Sequence, residues 1–170
     1  MTHQLNFIYN DSDWVCPQEY PDLSQAKEIA IDLETKDPNL KTKGSGWATF
    51  DGAIVGFAVA ALGQQWYFPI QHDAGGNMDL GITTAWMQSV LKTPADKIFH
   101  NASYDVGWLL MNGFEIRGKI IDTMIAAAVV DENRFSFSLN ACSKDWLGEI
   151  KNETFLNEKA KEWGIDPKQD

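Results

Sequence analysis

Two short stretches of the chain put carboxylates where they could share a cation. Asp32-Leu33-Glu34 closes an apolar run, Ile29-Ala30-Ile31, that reads as a buried strand. Side chains at i and i+2 of a strand project to the same face, so the two acids stand side by side. Left alone they repel, and one would keep its proton. A divalent ion removes that penalty, and hard cations such as Mg²⁺ and Mn²⁺ prefer carboxylate oxygen. The second stretch is His100-Asn101-Ala102-Ser103-Tyr104-Asp105, where a short strand, Lys97 to His100, gives way to a helix. Asn101 is placed to cap that helix or to hold the incoming loop. Asp105 falls in its first turns and points back towards the strand ends.

Read singly, each stretch also has a plain explanation. A D-x-E can be a strand emerging into solvent. Asn101 and Ser103 can be ordinary caps, with Asp105 favoured by the helix N-terminus. Together they say more. Acids about seventy residues apart in the chain, at the ends of two strands, can meet where α/β sheets commonly place ligands. Three converging carboxylates suit two-metal phosphoryl transfer, with ions ~3.5–4 Å apart, one acidifying the attacking water and the other stabilising the leaving oxygen.

The elements that must position these residues can be traced along the chain. Residues 1–27 read as an irregular acidic lead-in containing Pro17 and Pro21. After the first strand, the stretch 37–47 is loop by its Pro, Asn, Gly and Ser content. Ala53–Ala61 and Gln65–Ile70 read as strands joined as a hairpin through Leu62-Gly63-Gln64. Helical spacing runs from Asp79 to Leu91, with Leu80, Ala85, Trp86, Val90 and Leu91 inward, and from Ser103 to Met111, with Val106, Leu109 and Leu110 inward. Ile120-Ile121 is a short strand, followed by helices over Thr123–Val130, Ser138–Leu147 and Asn152–Trp163. Strands joined by short turns pair antiparallel, and strands that alternate with helices add in parallel through right-handed crossovers. The expected fold class is α/β, a mixed five-stranded sheet flanked by helices.

Composition bounds the rest. The chain has 170 residues, 44% hydrophobic and 22% charged, with 14 Lys and Arg against 24 Asp and Glu, a net charge of −10. That is globular composition, most simply a single domain over residues 1–170. The longest apolar stretch, Ala53 to Gly63, is shorter than the ~20 residues a membrane span needs. Cys16 and Cys142 lack zinc-ligand or redox spacing, so a reduced, soluble, cytoplasmic protein is expected. The acidity excludes a general duplex-binding surface. It does not exclude a nuclease, which needs acid in its site, and Lys36, Lys41 and Lys43, with Trp47 nearby, form a local basic loop suited to single-stranded backbone. Trp47 folded onto the core is the other reading of that loop. Trp66, Trp86, Trp108 and Trp146 fall on apolar faces and are assigned to the core. Asp122 is assigned to capping the following helix, and the three histidines to structural or solvent-facing roles. Gly44-Ser45-Gly46 lacks the G-x4-G-K-[ST] pattern of a phosphate-binding loop.

IAIDLET resembles the first motif (D-x-E), and HNASYD the second (N-x3-D), of DnaQ-like 3′–5′ exonucleases. The surrounding text, including IDTMIAAAVVDEN and FSLNACSKDWLG, is similar to the proofreading domain of family A polymerases, the DNA polymerase I type, of phages and bacteria, over about Glu28 to Gly164. The resemblance implies a ribonuclease-H-like fold and hydrolysis of terminal phosphodiesters with two Mg²⁺ or Mn²⁺ ions. It makes Asp32, Glu34 and Asp105 the catalytic metal ligands, Asp32 bridging both ions, Glu34 orienting the water, and Asp105 holding the second ion partly through water. Leu33, Thr35 and Asn101 would line the pocket for the 3′-terminal nucleotide. The implied partners are single-stranded or frayed DNA ends and a polymerase domain in the same or a partner chain, in a bacterial cell or phage-infected host. One feature departs from the family: its third motif, Tyr-x3-Asp or His-x4-Asp, would follow KEWGIDPKQD, where the sequence stops. The only Tyr-x3-Asp, Tyr9–Asp13, precedes the first motif, and the only His-x4-Asp, His100–Asp105, is the second. A fragment that binds metal weakly and cleaves slowly or not at all is therefore expected. The alternatives are an inactive exonuclease fold serving as a polymerase scaffold, or an RNase D-like exoribonuclease.

Overall fold

The computed structural model describes residues 14–73, 75–149 and residue 162. Five strands form one sheet: β1 (Glu28–Lys36), β2 (Ala53–Ala61), β3 (Gln64–Pro69), β4 (Asp96–Phe99) and β5 (Ile120–Asp122). Their spatial order is β3-β2-β1-β4-β5, antiparallel across β3, β2 and β1 and parallel from β1 to β4 to β5. The mixed sheet expected from the pattern is thus the one observed. The β2–β3 turn is tighter than expected, because Leu62 and Gly63 both take positive φ (54° and 73°). Two such residues match the twist of an antiparallel pair.

The helices are α1 (Leu40–Lys43), α2 (Gly46–Thr49), α3 (Leu80–Leu91), α4 (Ala102–Met111), α5 (Thr123–Val130) and α6 (Leu139–Leu147). The stretch 37–47, read as loop, therefore contains two single turns of helix. Their capping residues, Asn39 and Ser45, make no side-chain cap bond. Helices α3 and α6 carry capped ends: Asp79 accepts from Ile82 N and Ser138 from Ala141 N, and Gly148 closes α6 in the left-handed conformation. The helix expected over Asn152–Trp163 lies outside the described residues.

The core lies on one face of the sheet, where Ile29, Ile31, Leu33, Phe57, Val59 and Phe68 meet Met87, Val90 and Leu91 of α3 and Trp108 and Leu109 of α4. Helix α4 is rotated from its expected orientation. Its buried residues are Ala102, Asp105, Trp108 and Leu109, and Leu110 is exposed. That rotation carries Asp105 onto the core face. Of the assigned core tryptophans, Trp108 is buried and Trp66 and Trp86 pack against the core, but Trp146 is 51% exposed. It lies instead under the Arg134 guanidinium, 4.5 Å from its ring centre. Lys97 is fully buried, with Nζ donating to the carbonyls of Thr93, Ala95 and Arg117 at 2.8–2.9 Å. Each of its three donors is thereby satisfied, which is what a buried ammonium requires. Both cysteines are free. Among the described residues no helix is long and apolar enough to cross a membrane.

Candidate metal centre

Alternation along β1 sorts its side chains. Ile29, Ile31 and Leu33 are buried on the core face, while Ala30, Asp32 and Glu34 face outwards. Asp32 is paired with Ala58, and Glu34 with Gly56. The two acids therefore share one face, as their spacing requires. Immediately beyond them the β1–β2 register shifts, so that Glu34 pairs with Gly56 and Thr35 with Ile54. Val55 is the extra residue, and its carbonyl accepts from the backbone of Ile70 and Gln71. Such bulges re-aim side chains at strand ends.

Asp105 reaches this strand end from the core side. Its Oδ1 accepts from Leu33 N at 3.0 Å, across 72 residues of chain. The residue is 3% exposed. Burial pushes its carboxyl up to about 6, and the charge of Asp32 adds to the rise against the opposing Leu33 N–H bond. The two stretches thus touch through one bond, Leu33 N–H to Asp105, while Asp32 and Glu34 stand on the other face of β1, so the three-carboxylate cluster expected from the spacing is not formed among the described residues.

The other expected residues have different local duties. Leu33 is 6% exposed and belongs to the core. It offers the site its N–H, not a pocket-lining side chain. The Thr35 hydroxyl is hydrogen-bonded to the Tyr104 hydroxyl at 2.8 Å. Asn101 is exposed, in the left-handed conformation at φ 66°, and makes no side-chain cap bond; its Oδ1 accepts from Ser103 Oγ. The cap comes from Asp122 at the end of β5. Its carboxylate accepts from the N–H groups of Asn101 and Ala102 at the start of α4, and of Met124 and Ile125 at the start of α5. Burial pushes the Asp122 carboxyl up, yet these four donors win and hold it below its usual range. Asp122 is thus structural, and it caps two helices where the sequence suggested one.

Sequence reasoning missed a polar network beside the site. The Tyr104 hydroxyl donates to Asp37 Oδ2 at 3.0 Å, and the same oxygen accepts from Gly46 N at 2.9 Å. The Trp47 ring lies against Gly107 of α4, where an added Cβ would come within 2.4 Å of it. The basic stretch 37–47 is therefore docked onto the helix that carries Asp105, and Trp47 is packed onto the fold. Lys36 is paired with Asp73 at 2.9 Å. Trp47 on the fold is one of the two sequence readings of that loop, whereas the Tyr104–Asp37 and Lys36–Asp73 contacts follow no helical or strand period and left no sequence signal.

The donor set is all oxygen, as hard cations require, and the Asp105 carboxyl is raised chiefly by its burial, with the charge of Asp32 a smaller cause. Among the described residues no group of three or more acids, histidines or cysteines is close enough to enclose an ion. The residues fit an ion held by one or two carboxylates and completed by water, the usual habit of Mg²⁺. A groove of about 470 Å³ runs from Asp32 over the outward face past Ala30, Ala58, Tyr67 and Ile98 to His100. The Nδ1 of His100 is hydrogen-bonded to the Thr123 hydroxyl, and its Nε2 is buried with no partner among the described residues.

The chain resembles known proteins in the same terms. Residues 20–170 match the family model of the 3′–5′ exonuclease of DNA polymerase A type. A DNA-directed DNA polymerase of Pseudomonas phage M6 is 34% identical over 171 aligned residues, covering 96% of the chain and 26% of the polymerase. DNA polymerase I of Synechocystis is 29% identical over 102 residues, 54% of the chain and 10% of that enzyme. The chain thus spans about a quarter or less of these relatives' lengths. Among solved structures, Brucella melitensis NrnC with bound Mg²⁺ superposes with a TM-score of 0.57 at 18% identity, over 79% of this chain and 61% of NrnC. That likeness shows the fold, a mixed five-stranded sheet flanked by helices. With the family match over nearly the whole chain, the conclusion is that it belongs to the 3′–5′ exonuclease domains of family A DNA polymerases.

Proposed function

We propose that the chain is the proofreading-type exonuclease unit of a DNA polymerase, hydrolysing the terminal phosphodiester of single-stranded or frayed DNA 3′ ends. The observation that carries this reading is the Leu33 N–H to Asp105 bond, which ties the two acid-bearing stretches together at one strand end. DNA is preferred over RNA as substrate because the relatives matched by sequence are DNA polymerases. A polymerase domain, in the same or a partner chain, is the proposed partner.

Asp32, Glu34 and Asp105 are the proposed ligands of two divalent ions, Mg²⁺ or Mn²⁺. Such ions, when bound, lower the pKa of the attacking water and stabilise the leaving oxygen. Glu34, on the exposed edge of β1, is assigned to orient that water. Asp32 stands between Glu34 and the groove, where it can serve both ions. Asp105 is held to the Leu33 N–H and lends its second oxygen. Leu33 contributes its backbone to the nucleotide pocket, and Thr35 and Asn101 flank it. Thr35 is kept in place by Tyr104.

Two measurements test this reading. Mn²⁺ is expected to raise the melting temperature of the chain, and Asp32→Ala to abolish the rise. A 3′-labelled single-stranded DNA should be shortened by the chain in Mn²⁺, and not by the Asp32→Ala chain. The lack of a three-acid cluster among the described residues favours one alternative, an exonuclease fold kept as a scaffold. No metal response and no cleavage by either chain would establish that alternative.

A further inference from the structure

The outward face of the sheet carries one polar arrangement that the three acids leave unused. Tyr67 lies on β3, paired with Ala58, which is paired in turn with Asp32. Its ring leans across β2 towards the next row, where Gly56 stands opposite Glu34. A Cβ built on Gly56 would come within 2.0 Å of the Tyr67 hydroxyl and 2.5 Å of Cζ. The hydroxyl therefore sits over the α-carbon that pairs with Glu34, a position that only glycine leaves open. Burial chiefly, and the charge of Glu34 in addition, push the ionisation of this phenol upward.

Behind the phenol stands His72, hydrogen-bonded to it through Nε2. The turn is built to hold this ring. His72 N donates to Asn77 Oδ1 at 2.7 Å, and Asn77 Nδ2 donates back to His72 O at 2.8 Å. Asp73, the next residue, is paired with Lys36 at the end of β1.

A phenol has a single proton to give. Were it given to His72, the phenol oxygen would present only lone pairs to the Glu34 carboxylate. A proton on His72 Nε2, donated to the phenol oxygen, leaves the phenol proton for Glu34. We propose that Tyr67, set by His72, is a positioning residue that holds the Glu34 carboxylate through donated hydrogen bonds running from His72 to Tyr67 to Glu34. The inference rests on the reading of Asp32, Glu34 and Asp105 as metal ligands. Ligating carboxylates are themselves held by outer hydrogen bonds, and loss of such a partner typically costs ~10–100-fold in metal affinity.

The test is Mn²⁺ titration of this chain, with free Mn²⁺ read by its paramagnetic resonance signal. The proteins compared are wild type, Tyr67→Phe, Glu34→Gln and the double variant. Tyr67→Phe keeps the ring and removes the hydroxyl, and it should weaken Mn²⁺ binding by ~10-fold or more. In the Glu34→Gln background the same change should cost nothing further, because the phenol then has no carboxylate to hold. His72→Ala should reproduce the Tyr67→Phe loss, and His72→Gln, whose amide can still donate, should recover part of it. This second pair carries the test should Tyr67→Phe fail to fold. Wild-type affinity in Tyr67→Phe alongside a weakened Glu34→Gln would overturn the role of Tyr67 and leave the metal site standing. So would a full additional loss in the double variant, which would mark Tyr67 as a general support of the fold. No Mn²⁺ binding by wild type would overturn the metal site, and this inference with it.

Discussion

Asp105 offers a direct measure of the electrostatic cost built into the site. In the unfolded chain its carboxyl loses its proton near 3.8, whereas in the folded protein burial, with the charge of Asp32, delays that loss to about 6. Between those values the folded state holds a proton that the unfolded state has given up, so stability falls as pH rises. Above about 6 the full penalty is present. At 1.36 kcal/mol per pH unit the gap caps it at about 3 kcal/mol, and screening at the neighbouring exposed edge leaves about 1–3 kcal/mol. Asp105→Asn removes the charge and keeps an oxygen for the Leu33 N–H. The variant, without metal, should therefore melt above wild type at pH 7.5. For a domain of this size, at roughly 2–4 °C per kcal/mol, the rise should be about 2–12 °C. At pH 4 the difference should shrink towards zero. Scanning calorimetry at the two pH values, with and without Mn²⁺, makes the measurement. Mn²⁺ should raise the melting point of wild type at pH 7.5 and leave that of the variant nearly unchanged. An Asp105→Asn protein less stable than wild type at pH 7.5 would refute the reasoning. It would mean that the charged bond to Leu33 N stabilises more than burial costs.

Other consequences concern the frame around the site. Gly107→Ala should lower stability by about 1–3 kcal/mol, because the new methyl group meets the Trp47 ring. In a Trp47→Ala background the same change should stabilise instead, by up to about 1 kcal/mol from helix propensity; urea unfolding of the four proteins measures both. Lys97→Met should cost about 1–3 kcal/mol or more, since three carbonyls, that of Ala95 buried, lose their donor. Its signature is a lower denaturant midpoint at unchanged slope.

The proposed activity and the strong negative charge are compatible. The acids are not confined to the site, and the lysines nearest to it lie on or beside a stretch docked to α4. Asp37 bonds to Tyr104 and Gly46, and Trp47 seats on Gly107. Lys41 and Lys43 are carried on this anchored segment and are exposed. A held basic segment can meet a single strand with less ordering cost than a free loop.

Much of the fold could be read from local pattern. The run Ile29-Ala30-Ile31 with its two acids, the 53–61 strand, the Asp79 and Ser138 caps and the Gly148 stop each express a rule that acts within a few residues. The side-by-side placement of Asp32 and Glu34 is of this kind, for a strand has period two and no tertiary contact is needed to impose it. The rotation of α4 is different. Spacing alone favoured Val106, Leu109 and Leu110 as the inward set, but the sheet takes Ala102, Asp105, Trp108 and Leu109, because Trp108 has the largest apolar surface to bury. That choice is what brings a carboxylate against Leu33. The Tyr104 bond to Asp37 and the reach of Asp122 to the start of α4 were likewise set by tertiary structure alone. A hydrogen bond between residues 21 or 67 positions apart leaves no periodic trace in the chain. The types of residue able to bind metal were written in the sequence. The bond from Asp105 to Leu33 N depended on which helix face the core would bury.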